Sequence, residues 1–456
     1  MTAQRKTATM HRFLSILAAT LLSAALLPVN SALAAETPKV DSGDTAWVLL
    51  GTVLVLLMTI PGLALFYAGM VRKKNVLATM MQSFSLCALV TVLWIVAGYS
   101  LAFGDGNAWI GDASRIFLAG IEDNWDKPFT LGAGTANANA TTIPESVFVM
   151  FQMAFAIITP AVVAGAFADR MKFSALMLFV TLWSLAVYAP IAHWVWGANG
   201  WLNTMGIADF AGGTVVEINS GVSGLICALV LGKRLGYGHD NMAPWNLAYA
   251  VIGASLLWVG WLGFNAGSAL GAGGRAGMAV IATQAAGAAA TLSWAAAEWA
   301  LKGKPSVLGA ISGAVSGLVA ITPAAGFVLP GAALGIGLVA GLVCFWAATS
   351  LKHALGYDDS LDAFGVHGIG GIFGTLATGI LAYGPFTATA AHPEGVYVGG
   401  LALFKVQAIG VCATAAFAGI VTFVLLKIVD AVVGLRVSTD EEREGLDIVL
   451  HGEQVF

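Results

Sequence analysis

The sequence predicts an all-α membrane protein. Its eleven transmembrane helices form an inverted five-plus-five repeat plus one long final helix, with the N-terminus outside and the C-terminus inside. Three observations predict this fold. The 456 residues are 58% hydrophobic and only 10% charged, with a mean hydropathy of +0.84, whereas a soluble domain carries about 25% charged residues. Such a chain cannot cover itself with a hydrated surface, so lipid is its solvent. Apolar runs of spanning length recur along it, and the loops between them carry an asymmetric charge.

A spanning helix needs about 20 mostly apolar residues. The stretches that qualify are 45–69, 76–103, 144–168, 174–196, 213–232, 246–270, 277–301, 306–325, 328–351, 361–384 and 399–434. The last is long enough to tilt or to extend past the bilayer. Glycine is abundant, at 56 residues, as suits helices whose backbones approach closely. The spacing of Gly309, Gly313 and Gly317 is of that packing kind and says nothing about a substrate.

Residues 1–34 read as a secretory signal peptide. Arg5, Lys6, His11 and Arg12 precede an apolar core from Phe13 to Pro28, and Ser31-Ala32-Leu33-Ala34 supplies small residues for cleavage after Ala34. Cleavage places the mature N-terminus outside, so odd-numbered spans end inside. Twelve loop and tail cations then fall inside, among them Arg72, Lys73, Lys74, Arg170, Lys172, Arg234, Lys352 and Arg436. Only Lys39, Arg115, Lys127 and Arg275 fall outside. That asymmetry satisfies the positive-inside rule. Residues 35–434 form the membrane domain, and 435–456 form a cytoplasmic tail.

The odd number of spans divides into five plus five plus one, with the two fives oppositely oriented. Inverted repeats of this sort place a transport path at their interface. The fifth and tenth spans then correspond, and each carries an unusual polar element. The fifth reads Asp209-Phe-Ala-Gly-Gly-Thr-Val-Val-Glu217, and the tenth reads Asp362-Ala-Phe-Gly-Val-His367.

Several function classes are excluded. A net charge of −4 argues against a nucleic-acid partner. The four cysteines lie inside apolar runs without metal-site spacing, and read as packing residues. There is no nucleotide-binding loop and no enzyme motif, so neither a cofactor nor a metal is expected, and gradients must supply the driving force.

Glu217 and His367 are the ionisable side chains best placed near mid-membrane. Burying one there costs several kcal/mol, so it faces a cavity or a partner. Together they could relay a proton, or they could be a polar pair that only locks two helices. Asp209 precedes the fifth span where a helix cap belongs, which competes with direct substrate contact. Phe151 and Phe155 share one face of the third span, and Trp261, Phe264 and Ser268 step along the sixth. An aromatic wall beside a hydroxyl suits a small cation; ordinary packing would give the same spacing.

Several stretches together resemble the ammonium transporter family (ammonium transporter, methylammonium permease and Rhesus-type proteins). The most specific is Asp209-Phe-Ala-Gly-Gly-Thr-Val-Val-Glu217-Ile-Asn-Ser-Gly-Val-Ser-Gly-Leu225. The others are Phe155-Ala-Ile-Ile-Thr159, His193-Trp-Val-Trp196, Trp258-Val-Gly-Trp-Leu-Gly-Phe-Asn-Ala-Gly-Ser268, Asp358-Asp-Ser-Leu-Asp-Ala-Phe-Gly-Val-His-Gly368 and the tail from Val433 to Asp447. The likeness covers essentially the whole mature chain. It implies a homotrimer in the bacterial inner membrane, each subunit with its own pore. By position it implies that Phe155, Trp196 and Ser268 bind ammonium at an outer site. Phe155 and Phe264 would close the pore mouth, with Phe151, Gln152 and Trp261 beside the path and Asp209 supporting the outer site. It implies that His367 lines the hydrophobic pore, with Glu217 standing where that family more commonly has a first pore histidine. It also implies a PII-type nitrogen-regulatory protein as partner of the tail. The expected function is ammonium transport by deprotonation, with NH3 and H+ passing separately. The rivals are a channel for another small neutral gas or monovalent cation, and an ammonium sensor that conducts little. The tail's lack of an appended output domain favours transport over sensing.

Overall fold

The computed structural model describes residues 39–135, 138–388 and 393–455. The expected signal peptide lies outside the described residues. Among the described residues, ten helices are long and apolar enough to cross a membrane. They are α1 (Ser42–Met70), α2 (Lys73–Phe103), α3 (Glu145–Phe167), α4 (Phe173–Thr204), α5 (Gly213–Leu231), α6 (Leu247–Gly267), α7 (Gly274–Lys302), α9 (Pro330–Leu355), α10 (Phe364–Leu381) and α11 (Leu401–Val433). Between α7 and α9 stands a shorter apolar helix, α8 (Val307–Ile321).

The shortness of α8 is the main departure from the expected spans. At 15 residues it is about 22 Å long, against a hydrocarbon core of about 30 Å. The chain continues past Thr322 without helix, and Thr322, Ala324, Ala325, Phe327 and Val328 are all buried. Irregular backbone at such depth is tolerated only where protein surrounds it. Here it is also hydrogen-bonded: the Pro323 carbonyl accepts from Phe210 N at 3.1 Å, and the Phe327 carbonyl from Tyr383 N at 2.7 Å. Close helix contact holds α8 in place. A methyl group at Gly317 would stand 2.3 Å from the Ala286 carbonyl of α7, so only glycine permits this approach.

The junctions α1–α2, α3–α4, α5–α6 and α9–α10 gather on one face together with the chain after Gly434. This tail face collects many of the cations expected inside. The tail is folded onto it. Leu435 and Val437 exchange backbone bonds with Lys172 and Arg170 at 2.9 and 3.1 Å. Arg436 pairs with Glu442 at 2.7 Å, and Glu442 also accepts from Leu235 N. Lys74 donates to the Glu442 and Arg443 carbonyls, both at 2.6 Å. A short helix, α12 (Thr439–Glu444), begins with a capping box formed by Ser438 and Glu441. Asp447 accepts from Ala78 N, near the start of α2, at 2.8 Å. Burial pushes the Asp447 carboxyl above its ordinary range, against the pull of those helix amides. Beside the tail, Arg234 grips Asp358 through two side-chain bonds of 3.0 and 2.7 Å. Burial alone would raise that carboxyl, but the Arg234 bonds outweigh it and hold Asp358 below its ordinary range.

On the opposite face, residues 104–143 carry a small antiparallel pair, β1 (Thr130–Leu131) with β2 (Asn139–Ala140). His193 is buried against this segment, its ring nitrogens 3.0 Å from the Ala102 carbonyl and 2.6 Å from that of Asn107. It anchors the loop.

Candidate functional site

The site is built where α5 and α10 cross. Each helix opens with a wide, π-type turn, over Gly213–Ile218 and Phe364–Gly368. Such turns displace side chains from the regular spiral and recur at functional positions. The helices touch through glycines: a methyl group at Gly221 would lie 2.1 Å from Gly368 N, and one at Gly371 would lie 2.7 Å from Glu217 Cβ. That approach brings together Glu217 and His367, which stand 150 residues apart in sequence. Glu217 Oε2 lies 2.7 Å from His367 Nδ1, and both side chains are buried.

Each of these helices is capped by a buried aspartate. Asp209 accepts from the amides of Gly212, Gly213, Thr214 and Val215 at 2.8, 2.6, 2.8 and 3.4 Å, and from the Thr214 hydroxyl. This is capping geometry, with the carboxylate facing the positive end of the helix dipole. Asp359 does the same for α10, accepting from Ala363 N at 3.1 Å and Phe364 N at 2.7 Å. Reading the tenth element from Asp362 missed this residue. The signal was present: Asp209 stands eight residues ahead of Glu217, and Asp359 eight ahead of His367. Asp362 instead lies before α10 with φ of 60°.

The aromatic residues form a lid away from the tail face. Phe155 of α3 and Phe264 of α6 stack with ring centroids 4.2 Å apart and planes at 29°. Trp196 of α4 meets Phe155 edge-on at 5.8 Å, and Phe151 lies 4.9 Å from Phe155. The Trp196 indole donates to the Asp209 carbonyl at 3.0 Å, so the residue that caps α5 also orients this ring. Ser268, one turn beyond Phe264, turns its hydroxyl to the Phe264 carbonyl at 2.9 Å. Trp261 sits 5.7 Å from Phe264 and donates to Thr322 Oγ1 at 2.8 Å, tying the irregular segment after α8 to the lid. Gln152 is buried next to Phe151, and its carbonyl oxygen has no hydrogen-bond partner among the described residues.

Beneath the stacked rings lies a narrow cavity of about 10 Å³, lined by Phe264, Trp261, Val216, Ile158, Glu217 and His367 among others. Apart from Glu217 and His367 its walls are almost wholly apolar. Trp196 and Ser268 are partly exposed, whereas Phe155 and Phe264 are buried. The geometry therefore runs from a half-open aromatic and hydroxyl surface, through a closed ring pair, into a narrow apolar cavity with one acid–imidazole pair. Among the described residues no cluster of His, Cys, Asp and Glu is arranged to hold a metal ion.

The chain and its fold have known counterparts. The sequence profile of the Ammonium Transporter Family matches residues 46–456. An ammonium transporter of Bacillus subtilis is 49% identical over 417 residues, covering 91% of this chain and 98% of its own. The solved structure of Candida albicans Mep2 is 33% identical and superposes with a TM-score of 0.79 over 88% of each chain. A solved sensor Amt protein is 26% identical, with a TM-score of 0.80 over 90% of this chain and 98% of its own. A profile match over nearly the whole chain, nearly half-identity to a full-length relative and a shared helical architecture agree: the chain belongs to the ammonium transporter family.

Proposed function

We propose that the protein transports ammonium across a bacterial inner membrane by separating it into NH3 and H+. NH4+ is drawn to Phe155, Trp196 and Ser268, where ring faces and a hydroxyl favour a small cation. It loses its proton beneath the Phe155–Phe264 pair. NH3 crosses the apolar cavity, and the proton passes separately over Glu217 and His367. The observation that carries this reading is the 2.7 Å contact between Glu217 and His367 inside otherwise apolar walls. A bare cation there would lose its hydration, whereas neutral NH3 bears no such ionic cost. A buried carboxylate needs a hydrogen-bonded partner, and the imidazole supplies one.

The test is ammonium-driven current in proteoliposomes on a solid-supported membrane. Ammonium is expected to give a saturable current that an equal concentration of potassium does not. The Trp196→Leu protein should need about tenfold more ammonium for half-saturation, matching the 1–2 kcal/mol of a desolvated cation–π contact. An unchanged concentration dependence would remove Trp196 from the site. The likeness to a sensor Amt protein favours a second reading, in which ammonium is bound but little is conducted. Saturable binding without current would establish it.

The same proposal takes the protein as a homotrimer with eleven spans, α8 counted as the eighth. The tail face is cytoplasmic, as supported by the cations gathered there. The tail from Gly434 to Asp447 is the docking element for a PII-type nitrogen-regulatory protein. A purified PII-type protein, screened across nucleotide and 2-oxoglutarate conditions, is expected to bind the full chain and not a chain ending at Gly434. Equal binding to both, or to neither, would refute this role.

A further inference from the structure

Below the Glu217–His367 pair, a second cavity of about 150 Å³ leads from His367 toward the tail face, past Ser312, Ser360 and Asp362. Lys352, in the last turn of α9, stands behind that lining and reaches the cavity wall through its contact with Asp362. Its amine donates to the Asp359 carbonyl at 2.6 Å and to Asp362 Oδ1 at 2.8 Å. Asp359 spends its carboxylate on capping α10, so only its carbonyl is left to receive the lysine. Asp362 holds a left-handed backbone, φ 60°, which an aspartate adopts more readily than most residues with a Cβ. The Lys352 side chain is only 16% exposed, while that of Asp362 is 37% exposed.

A protonated lysine amine is an alkylammonium: a compact positive nitrogen with three N–H donors. Free ammonium differs by one further N–H in place of the carbon stem. A carboxylate oxygen and a carbonyl oxygen, both turned to one cationic nitrogen, the carboxylate on a residue that lines the cavity, are the ligands that NH4+ would seek. We propose that Lys352 is a tethered ammonium, a built-in competitor that occupies the cation position at the tail-face mouth and prevents transported ammonium from being retained there. Tethering gives the amine an effective concentration in the millimolar range or above, so dilute free ammonium cannot displace it. Binding is then confined to the aromatic mouth on the opposite face, and release at the tail face is fast. An ordinary ion pair that only fastens α9 to the loop before α10 would have the same distances but no effect on ammonium binding.

The inference rests on the transport reading, and the experiment separates the two. The full-length protein is produced in a host without its own ammonium transporter. Ammonium flux is measured in right-side-out and inside-out membrane vesicles for wild type, Lys352→Met and Lys352→Gln. Ammonium binding to the purified proteins is measured by calorimetry. Lys352→Met keeps an unbranched apolar stem, and Lys352→Gln keeps a donor without charge. Both should lower the half-saturating ammonium concentration at the tail face by about tenfold, the equivalent of one charge-assisted hydrogen bond, with little change at the opposite face. Calorimetry should show an additional ammonium site in both variants. Adding Asp362→Asn to Lys352→Met should abolish that site, and it restores charge balance should the single variant fold poorly. Unchanged tail-face affinity without a new site, or a new site that survives Asp362→Asn, would overturn the role of Lys352. Wild-type vesicles without ammonium flux would instead sink the transport reading, and the binding measurement would still decide on Lys352.

Discussion

The Glu217→Gln protein is expected to lose ammonium-driven current by about a hundredfold or more, the scale of a lost acid–base group, while its assembly in detergent is unchanged. Glutamine keeps the shape of the side chain and a hydrogen bond to His367, but it cannot hold or release a proton. The two groups lie 2.7 Å apart, so a change at either is felt by the other. Current against pH for wild type therefore reports the pair. Glu217→His is expected to retain transport with a displaced pH profile, because the replacement also titrates. His367→Ala should be at least as damaging as Glu217→Gln, since it breaks the contact and also widens the apolar cavity to water. The decisive comparison is current against pH for wild type and Glu217→Gln in the same lipid. Curves that superimpose in height and shape would reduce Glu217 to a packing residue.

The second large effect is expected at Asp209. Removal of its carboxylate by Asp209→Ala leaves four backbone amides and the Thr214 hydroxyl without their acceptor in a buried setting. An unsatisfied buried donor costs about 1–3 kcal/mol, so a total loss of about 3 kcal/mol or more is expected even after local relaxation. The start of α5 should fray, moving Glu217 and releasing the carbonyl that orients Trp196. Thermal unfolding followed by intrinsic fluorescence should show a lower midpoint, and current should be absent. Asp209→Asn keeps one acceptor oxygen and should fall between wild type and Asp209→Ala on both measures. A normal melting midpoint in Asp209→Ala combined with lost current would mean that the carboxylate acts on the substrate and not as a cap.

Much of this protein was legible in the sequence because the relevant physics is local. Solvation decides that a chain with 10% charged residues resides in lipid, and each apolar run carries its own preference for the bilayer. A lone Glu217 or His367 inside such a run stands out because burying it is costly wherever the rest of the chain lies. Asp209 could be read as a cap from its place ahead of an apolar run. Motifs, more than spacing, pointed to Phe155, Trp196, Phe264 and Ser268.

What the tertiary structure alone decided depends on groups far apart in sequence. The crossing at Gly221 and Gly368 turns two isolated ionisable residues into a pair 2.7 Å apart. The 4.2 Å stacking of Phe155 on Phe264 needs α3 and α6 side by side. The helix α8 stops at Ile321 because surrounding protein, and not lipid, receives the backbone that follows. The tail lies folded on its face because Lys74 at the start of α2, and Arg170 and Leu235 from two different junctions, bond to it. Lys352 was visible in the sequence only as one more cation on an inner loop. Its place against Asp359 and Asp362 arises from how α9 ends over the start of α10, and hydrophobic patterning carries no record of which donor meets which acceptor across such a junction.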